Sequence, residues 1–278
     1  MNIGPSTTTP ASACRMPLIA ALTAASLVSP MAMAQEPRDE EPTVTRGEAQ
    51  TSTFGLGVGF ATRQQPYTGV KRDNRAVPLV ILDTRWVKVA GSGVEVKLAK
   101  AKLTDEQQLS AGLRLSYQRD GYKAGDSPAL AGMEDRKASV WGGAGVTWTN
   151  PVAQVSAEWL ADISGHSQGQ KLQLQAEHRF GWGGFGLTPK LQAQWSNRKV
   201  VDYYFGVREQ EALPTRPEFS GAAVTSLGAG LHLDYMAGSH HTMFVDLSAM
   251  HLPSEITRSP IVDRRNTSQI AIGYLYRF

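Results

Sequence analysis

The sequence contains a single cysteine, Cys14, so no disulfide can form within its 278 residues. Beyond residue 34 it never offers 18 or more consecutive apolar residues, which excludes a helix crossing about 30 Å of hydrocarbon. It also lacks a charge bias. With 28 Lys+Arg against 25 Asp+Glu, there is no electrostatic argument for a nucleic-acid partner. Helical periodicity is missing as well, so a soluble hydrolase would lack the helices it needs.

The N-terminus has its own pattern. Arg15 precedes a short apolar stretch, Pro17 to Val28, and a small-residue exit at Ala32-Met33-Ala34. A basic flank, an apolar run too short to span and an A-x-A-like site predict a secretory signal peptide over 1–34, cleaved after Ala34. Cys14 leaves with it. The remaining residues, about 244, suit one large domain, with 27 Lys+Arg against 25 Asp+Glu once Arg15 is gone. Residues 35–52 are charged, Pro-containing and poor in large apolar side chains, which predicts a flexible acidic arm.

From Thr53 the chain changes to period two. Phe54, Leu56, Val58 and Phe60 alternate with glycines, and the pattern returns through Leu109–Tyr117, Val155–Ile163, Leu172–Ala176, Leu187–Trp195, Leu227–Tyr235 and Ile270–Phe278. Period two is the signature of a strand facing two environments. A soluble sandwich alternates too, but three features favour a membrane barrel over 53–278. The segments run to ten residues and more, where soluble strands cluster at about five or six. Aromatic residues such as Trp86, Tyr117, Trp148, Trp195 and Tyr235 sit at strand ends, as interfacial girdles require. Short and long connections alternate.

Eleven segments are visible, near 53–61, 77–89, 93–101, 107–118, 136–148, 152–163, 169–180, 186–206, 222–236, 240–251 and 268–278. Bacterial barrels have even strand numbers. A break near Asp83-Thr84 inside VPLVILDTRWVKVAG makes twelve strands; ten is the alternative. The predicted fold is thus an all-β, closed, antiparallel transmembrane barrel in the outer membrane of a Gram-negative cell. Its periplasmic arm would be 35–52.

Several short motifs stand in order: FGLGVGF (54–60), PYTGV (66–70), VPLVIL (77–82), SPALAGM (127–133), DISGHSQGQ (162–170), YYFGV with a following Glu-Ala (203–212), LPSEITRSPIV (252–262) and GYLYRF (273–278). In this order and spacing they are similar to those of the MipA/OmpV family, the MltA-interacting protein family. The resemblance implies an outer-membrane scaffold that joins a lytic transglycosylase to a peptidoglycan synthase. Other members are porin-like, which implies the alternative of a small channel or binder for polar solutes or antibiotics. Outer-membrane lipid and the barrel-assembly machinery are the further expected partners. Tyr274, Tyr276 and Phe278 on one outward face resemble the signal that this machinery reads.

Few residues suggest chemistry. Gly165-His166-Ser167-Gln168-Gly169 matches G-x-S-x-G, but a nucleophile elbow needs a helix after the serine, and QKLQLQAEHRF alternates as a strand instead. A polar hairpin loop is the better reading. The six histidines form no ligand pair at metal spacing, His232 and Asp234 share one face as a polar pair, and no cofactor or enzymatic activity is expected. The candidate lumen residues are Arg114, Glu158, Asp162, Glu177, Arg179, Lys190, His232, Asp234 and Arg277. Mixed charges inside a barrel either pair and plug it or line a narrow aqueous path. The loop 197–221, with Tyr203, Tyr204 and Phe205, and the run Ser259–Val262 read either as partner contacts or as an inward-folded cap.

Overall fold

The computed structural model describes residues 52–278. The expected signal peptide, its cleavage site and the arm as far as Thr51 lie outside the described residues. Thirteen strand segments follow in chain order: β1 Thr53–Arg63, β2 Asp73–Asp83, β3 Val87–Ala90, β4 Gly93–Lys102, β5 Gln108–Gln118, β6 Ser139–Thr149, β7 Gln154–Asp162, β8 Gln170–Glu177, β9 Phe180–Trp182, β10 Phe185–Ser196, β11 Val224–Ala237, β12 His241–His251 and β13 Asn266–Arg277. Each pairs antiparallel with its neighbours, β10 pairs with β11, and β13 returns to β1, so the sheet closes.

β8 and β9 form one stave. Both keep the same register against β10, with Glu177 opposite Lys190 and Phe180 opposite Leu187. Between them His178 faces Pro189, which has no N–H to give, and only a 3.4 Å bond from the His178 N–H to the Pro189 carbonyl remains. The barrel therefore has twelve strands. The sequence break at Asp83-Thr84 is where the twelfth emerges. β2 ends at Asp83, and the Thr84 hydroxyl accepts from the Val87 N–H (3.0 Å) to turn the chain into β3.

One sequence expectation needs correcting. The strand anticipated over 186–206 stops at Ser196, and Arg198–Phe205 form helix α1. Asn197 caps it, its side chain accepting the Val200 N–H at 3.2 Å. Alternation ends at Trp195, and Val200, Val201 and Tyr204 recur at helical spacing on one buried face. A second short helix, α2, spans Ser254–Thr257.

Alternation fixes the two faces. Leu56, Val58, Leu113, Leu174, Leu191, Leu231 and Ile272 point outward and are exposed. In water that would be an aggregation surface; around a closed barrel it is the lipid-facing band. Among the described residues no helix is long and apolar enough to cross a membrane, and the strands make the crossing. At one rim aromatic rings pack into a girdle: Phe54 stacks on Phe278 (centroids 5.3 Å apart) and Phe185 packs tilted against Tyr235 (4.5 Å). The connections at this rim, 84–86, 103–107, 150–153, 183–184 and 238–240, are short. Those at the opposite rim include 119–138, 197–223 and 252–265. Short turns mark the periplasmic end and long loops the outer end.

Candidate functional site

The inward faces of the strands supply the candidate site. A cavity of about 810 Å³ occupies the barrel interior, between β1–β3 on one side and β10–β13 with Arg179 on the other. Its polar wall carries Lys190, His232, Asp234 and Asp246, and its rim carries Arg179 and Arg277.

These side chains neutralise one another in pairs. Arg179 forms a forked pair with Asp234, including an Nη2–Oδ2 bond of 2.7 Å. Lys190 lies 3.5 Å from Asp246. His232 sits between two carboxylates, with Nδ1 3.2 Å from Asp246 and Nε2 3.7 Å from Asp234. Arg277 has no carboxylate within ion-pair distance among the described residues; its Nη1 meets the Met236 sulfur at 3.8 Å. A second charged group lies across the barrel. Arg114 bridges Glu95 (2.8 Å) and Glu158 (3.5 Å), while Lys97 pairs with Asp83. Glu177 stands apart, accepting from the amides of Gln154 (3.0 Å) and Gln175 (2.9 Å).

The structure adds charges that sequence inspection passed over. Asp246 and Glu95 alternate as regularly as the chosen residues and were legible by the same rule. Arg63, Asp120 and Lys171 were not, because their meeting depends on a loop entering the barrel. The Arg63 guanidinium donates to Asp120 at 2.7 Å, and Lys171 reaches the other Asp120 oxygen at 3.2 Å. Lys171 also lies 4.0 Å over the ring of the buried Trp141. Burial acts to raise the Asp120 pKa, but the two cations outweigh it and hold the carboxyl far below the ordinary carboxylate range.

Above this layer the outer loops fold inward and close the mouth. Tyr67, Leu130, Val201, Val207, Leu252 and Ile261 build an apolar core there, drawn from four different outer segments. Tyr204 and Ile261 are buried, and the Ser259 hydroxyl donates to the Phe205 carbonyl at 2.6 Å. Of the two readings of 197–221 and 259–262, the inward cap is the one observed. A buried ion pair pins it. Arg136 and Glu211 meet at 2.7 Å with side chains only 1% and 2% exposed. Arg216 threads between loops, donating to the carbonyls of Ala129 (2.8 Å), Ala131 (3.1 Å) and Glu211 (2.8 Å).

Burial works to raise the Glu211 pKa, but the bonds from Arg136 and from the Glu134 and Arg208 amides lower it below the ordinary value. A depressed carboxylate contributes stability that is complete above its unfolded pKa and is lost as pH falls through its folded pKa. Protease resistance of the outer loops should therefore stay level down to about pH 5 and drop below about pH 4. Timed proteolysis across that range checks this, and a flat profile would exclude Glu211 and Asp120 as its cause.

The G-x-S-x-G loop is structural. Ser167 is buried, its hydroxyl donating to Asp162 at 2.7 Å, and the Ser167 N–H binds the same oxygen. His166 Nδ1 contacts the Ala138 carbonyl at 2.8 Å and not Ser167. Asp162, expected to face the lumen, thus spends its oxygens on Ser164 and Ser167 at the outer end of β7.

A closed twelve-stranded antiparallel barrel with an apolar outer band, an aromatic girdle and a charged, capped interior defines an outer-membrane β-barrel protein. The family model described as "MltA-interacting protein MipA" matches residues 56–278, and the chain belongs to that family. It is 26% identical over 233 residues to the "Putative outer membrane protein YiaT" of Escherichia coli K12, covering 83% of this chain and 93% of that one. It is 24% identical over 234 residues to the "MltA-interacting protein" of the same organism, covering 81% and 90%. It is 25% identical over 170 residues to the "Outer membrane protein OmpV" of Vibrio cholerae, covering 61% and 66%. Among solved structures, the NanC porin aligns over 80% of this chain and 98% of its own, at 10% identity and a TM-score of 0.44. The protein resides in the outer membrane.

Proposed function

We propose that this protein is a non-enzymatic docking barrel that holds peptidoglycan-remodelling enzymes at the inner face of the outer membrane. One observation carries the reading: the outer mouth is closed by a packed apolar core and the layer of Arg63, Asp120 and Lys171 beneath it is ion-paired. Such an interior suits a rigid platform better than an open passage. The relative named for its interaction with MltA supports a lytic transglycosylase as one partner. A peptidoglycan synthase is the second, following the family resemblance. Lipid surrounds the outward band, and the rings at Tyr274, Tyr276 and Phe278 are what the assembly machinery would read. Nothing in this role requires a cofactor.

The test is capture. The full-length protein, crosslinked in cells and purified in detergent, should retain a lytic transglycosylase, identified by mass spectrometry. Recovery of the barrel alone under efficient crosslinking would remove the reading. A second reading, a binder or narrow channel for polar solutes, is favoured by the 810 Å³ cavity and by Arg277, which has no carboxylate partner among the described residues. Planar-bilayer recording separates the two. The platform predicts no steady conductance, whereas a channel predicts discrete steps that change when Lys190 is neutralised.

A further inference from the structure

We infer that the barrel wall has a lateral portal between β2 and β3, through which a single-chain anionic amphiphile of the fatty-acid class enters the lumen cavity from the membrane. The first observation is an unfinished seam. β1 and β2 are paired over all eleven residues of β2, yet β2 and β3 share only three pairs, Ile81–Ala90, Leu82–Val89 and Asp83–Lys88. Beyond Ala90 the chain turns at Gly91-Ser92 into β4, and among the described residues Asp73–Val80 have no strand on that side. At about 3.3 Å per residue the open edge is roughly 26 Å long.

The edge can be resolved atom by atom. The Thr84 N–H donates to the Val87 carbonyl, so Thr84 and Val87 are a hydrogen-bonded pair. Antiparallel pairing alternates, so the even-numbered residues of β2 aim their backbone groups at β3. Asn74, Ala76, Pro78 and Val80 therefore face the opening. Pro78, which has no N–H, stands on the edge where none is needed. The remaining N–H and C=O groups have no backbone partner among the described residues. Hydrocarbon offers such groups no hydrogen-bond partner, so this edge must be wet or occupied by a polar group.

The second observation is what lies behind the opening. Val80, Ile81, Ala90 and Gly91, the residues where the seam stops, line the cavity. Every other long strand carries polar or small residues on most of its lumen face, but β2 places Val77, Leu79 and Ile81 there. Phe244 and Leu275 continue this apolar strip. Gly273 makes room for it: a Cβ there would lie 2.6 Å from the Phe244 ring and 2.8 Å from a Leu79 methyl. One end of the strip meets a cation. Arg75, also on the lumen face of β2, has a buried Nη1 with no hydrogen-bond partner among the described residues and only a 3.5 Å contact to Asp73. Arg75, Arg179, Lys190 and Arg277 against Asp234 and Asp246 leave the cavity cationic. An apolar strip ending at an under-used guanidinium fits an alkyl chain bearing one anionic head. The outer mouth is capped, and of the remaining ways in the open β2–β3 seam is the one that faces the membrane.

The experiment uses the full-length mature protein in phosphatidylcholine nanodiscs with a trace of diazirine-bearing palmitate. After irradiation, adducts are mapped by mass spectrometry. Lumen-facing Leu79 and Phe244 should be labelled in addition to the lipid-facing residues. Ala90→Trp, which fills the portal from inside, should lower lumen labelling about tenfold, an occupancy shift of about 1.4 kcal/mol. It should leave the lipid-facing adducts unchanged. Leu79→Asn is a second variant with the same expected loss, and resistance to unfolding in SDS before boiling confirms that each barrel has formed. Arg75→Gln should also reduce lumen labelling, and diazirine-hexadecanol, which lacks the anion, should label the lumen poorly. Adducts confined to the outward face would overturn the site. Undiminished lumen labelling in a folded Ala90→Trp barrel would overturn the portal, and equal labelling by the alcohol would overturn the anionic class. None of these readouts depends on an enzyme partner, so their failure is distinct from failure of the docking role.

Discussion

Glu211→Ala is expected to destabilise the outer cap by about 3–5 kcal/mol, the range for breaking a buried ion pair from one side. The large size follows from what is left behind. Arg136 would keep its charge with its side chain 1% exposed, and the Glu134 and Arg208 amides, at 2.9 and 3.1 Å from the carboxylate, would lose their acceptor. Each orphaned amide adds about 1–3 kcal/mol if it stays buried, so the loops should open before that full penalty is met. Hydrogen exchange should speed up through 119–138 and 197–223, while the barrel strands keep their protection. The paired replacement Arg136→Met with Glu211→Leu separates charge from packing. It removes both ions at similar volume and should recover most of the loss. If the single and double variants exchange equally fast, the ion pair is not what closes the mouth. Bilayer recording of Glu211→Ala adds a functional readout. Persistent silence with an opened cap would assign the barrier to the layer of Arg63, Asp120 and Lys171 beneath it.

How much of this could be read from the sequence depends on how local each feature is. A strand in a barrel is set by its own alternation and by adjacent turns, so Phe54–Phe60 and Leu227–Tyr235 announce themselves without knowledge of their partners. The twelfth strand was legible for the same reason, since Asp83-Thr84 interrupts an otherwise continuous run. Helix α1 was missed because Val200, Val201 and Tyr204 follow a strand directly, with only Asn197 to mark the change of period. The G-x-S-x-G segment was legible as a polar loop between two strands because the missing helix is itself a local feature.

The lumen charges divide along the same line. Arg114, Lys190 and Asp234 face inward by parity alone. Their partners, Glu95, Asp246 and Arg179, depend on register between strands, and Arg179 with Asp234 spans 55 positions of chain. Arg136 and Glu211, 75 positions apart, meet because two loops fold into one mouth. No periodicity reports that contact. Pro78 is an intermediate case. A proline inside an apolar strand signals an unpaired edge, but the length of the opening appears only when β3 is seen to stop at Ala90.

The closing seam should tolerate no added side chain at Gly57, and Gly57→Ala is the substitution that shows it. β1 and β13 join the two ends of the described chain, and along this seam Gly57 lies opposite Leu275 and next to Tyr274 across it. A Cβ on Gly57 would fall 2.0 Å from the Tyr274 carbonyl oxygen and 2.9 Å from the Leu275 Cα. Both are backbone atoms, so no rotamer change relieves the overlap and the strands must separate. Over-packing in a core costs about 1–3 kcal/mol when side chains can adjust. Here the relief is lost ladder bonds, each worth several kcal/mol at membrane depth because lipid offers no replacement. Gly181→Ala is the matched control on the periplasmic side of β9, where the nearest atom to a new Cβ is 3.9 Å away. Refolded into vesicles, Gly181→Ala should give compact, SDS-resistant barrel at the parent yield, and Gly57→Ala several-fold less. If Gly57→Ala closes as well as the parent, then β1 can slide against β13 without loss. The position of the seam, and with it the fixed registry of the lumen above it, would then be looser than the packing of Leu275 implies.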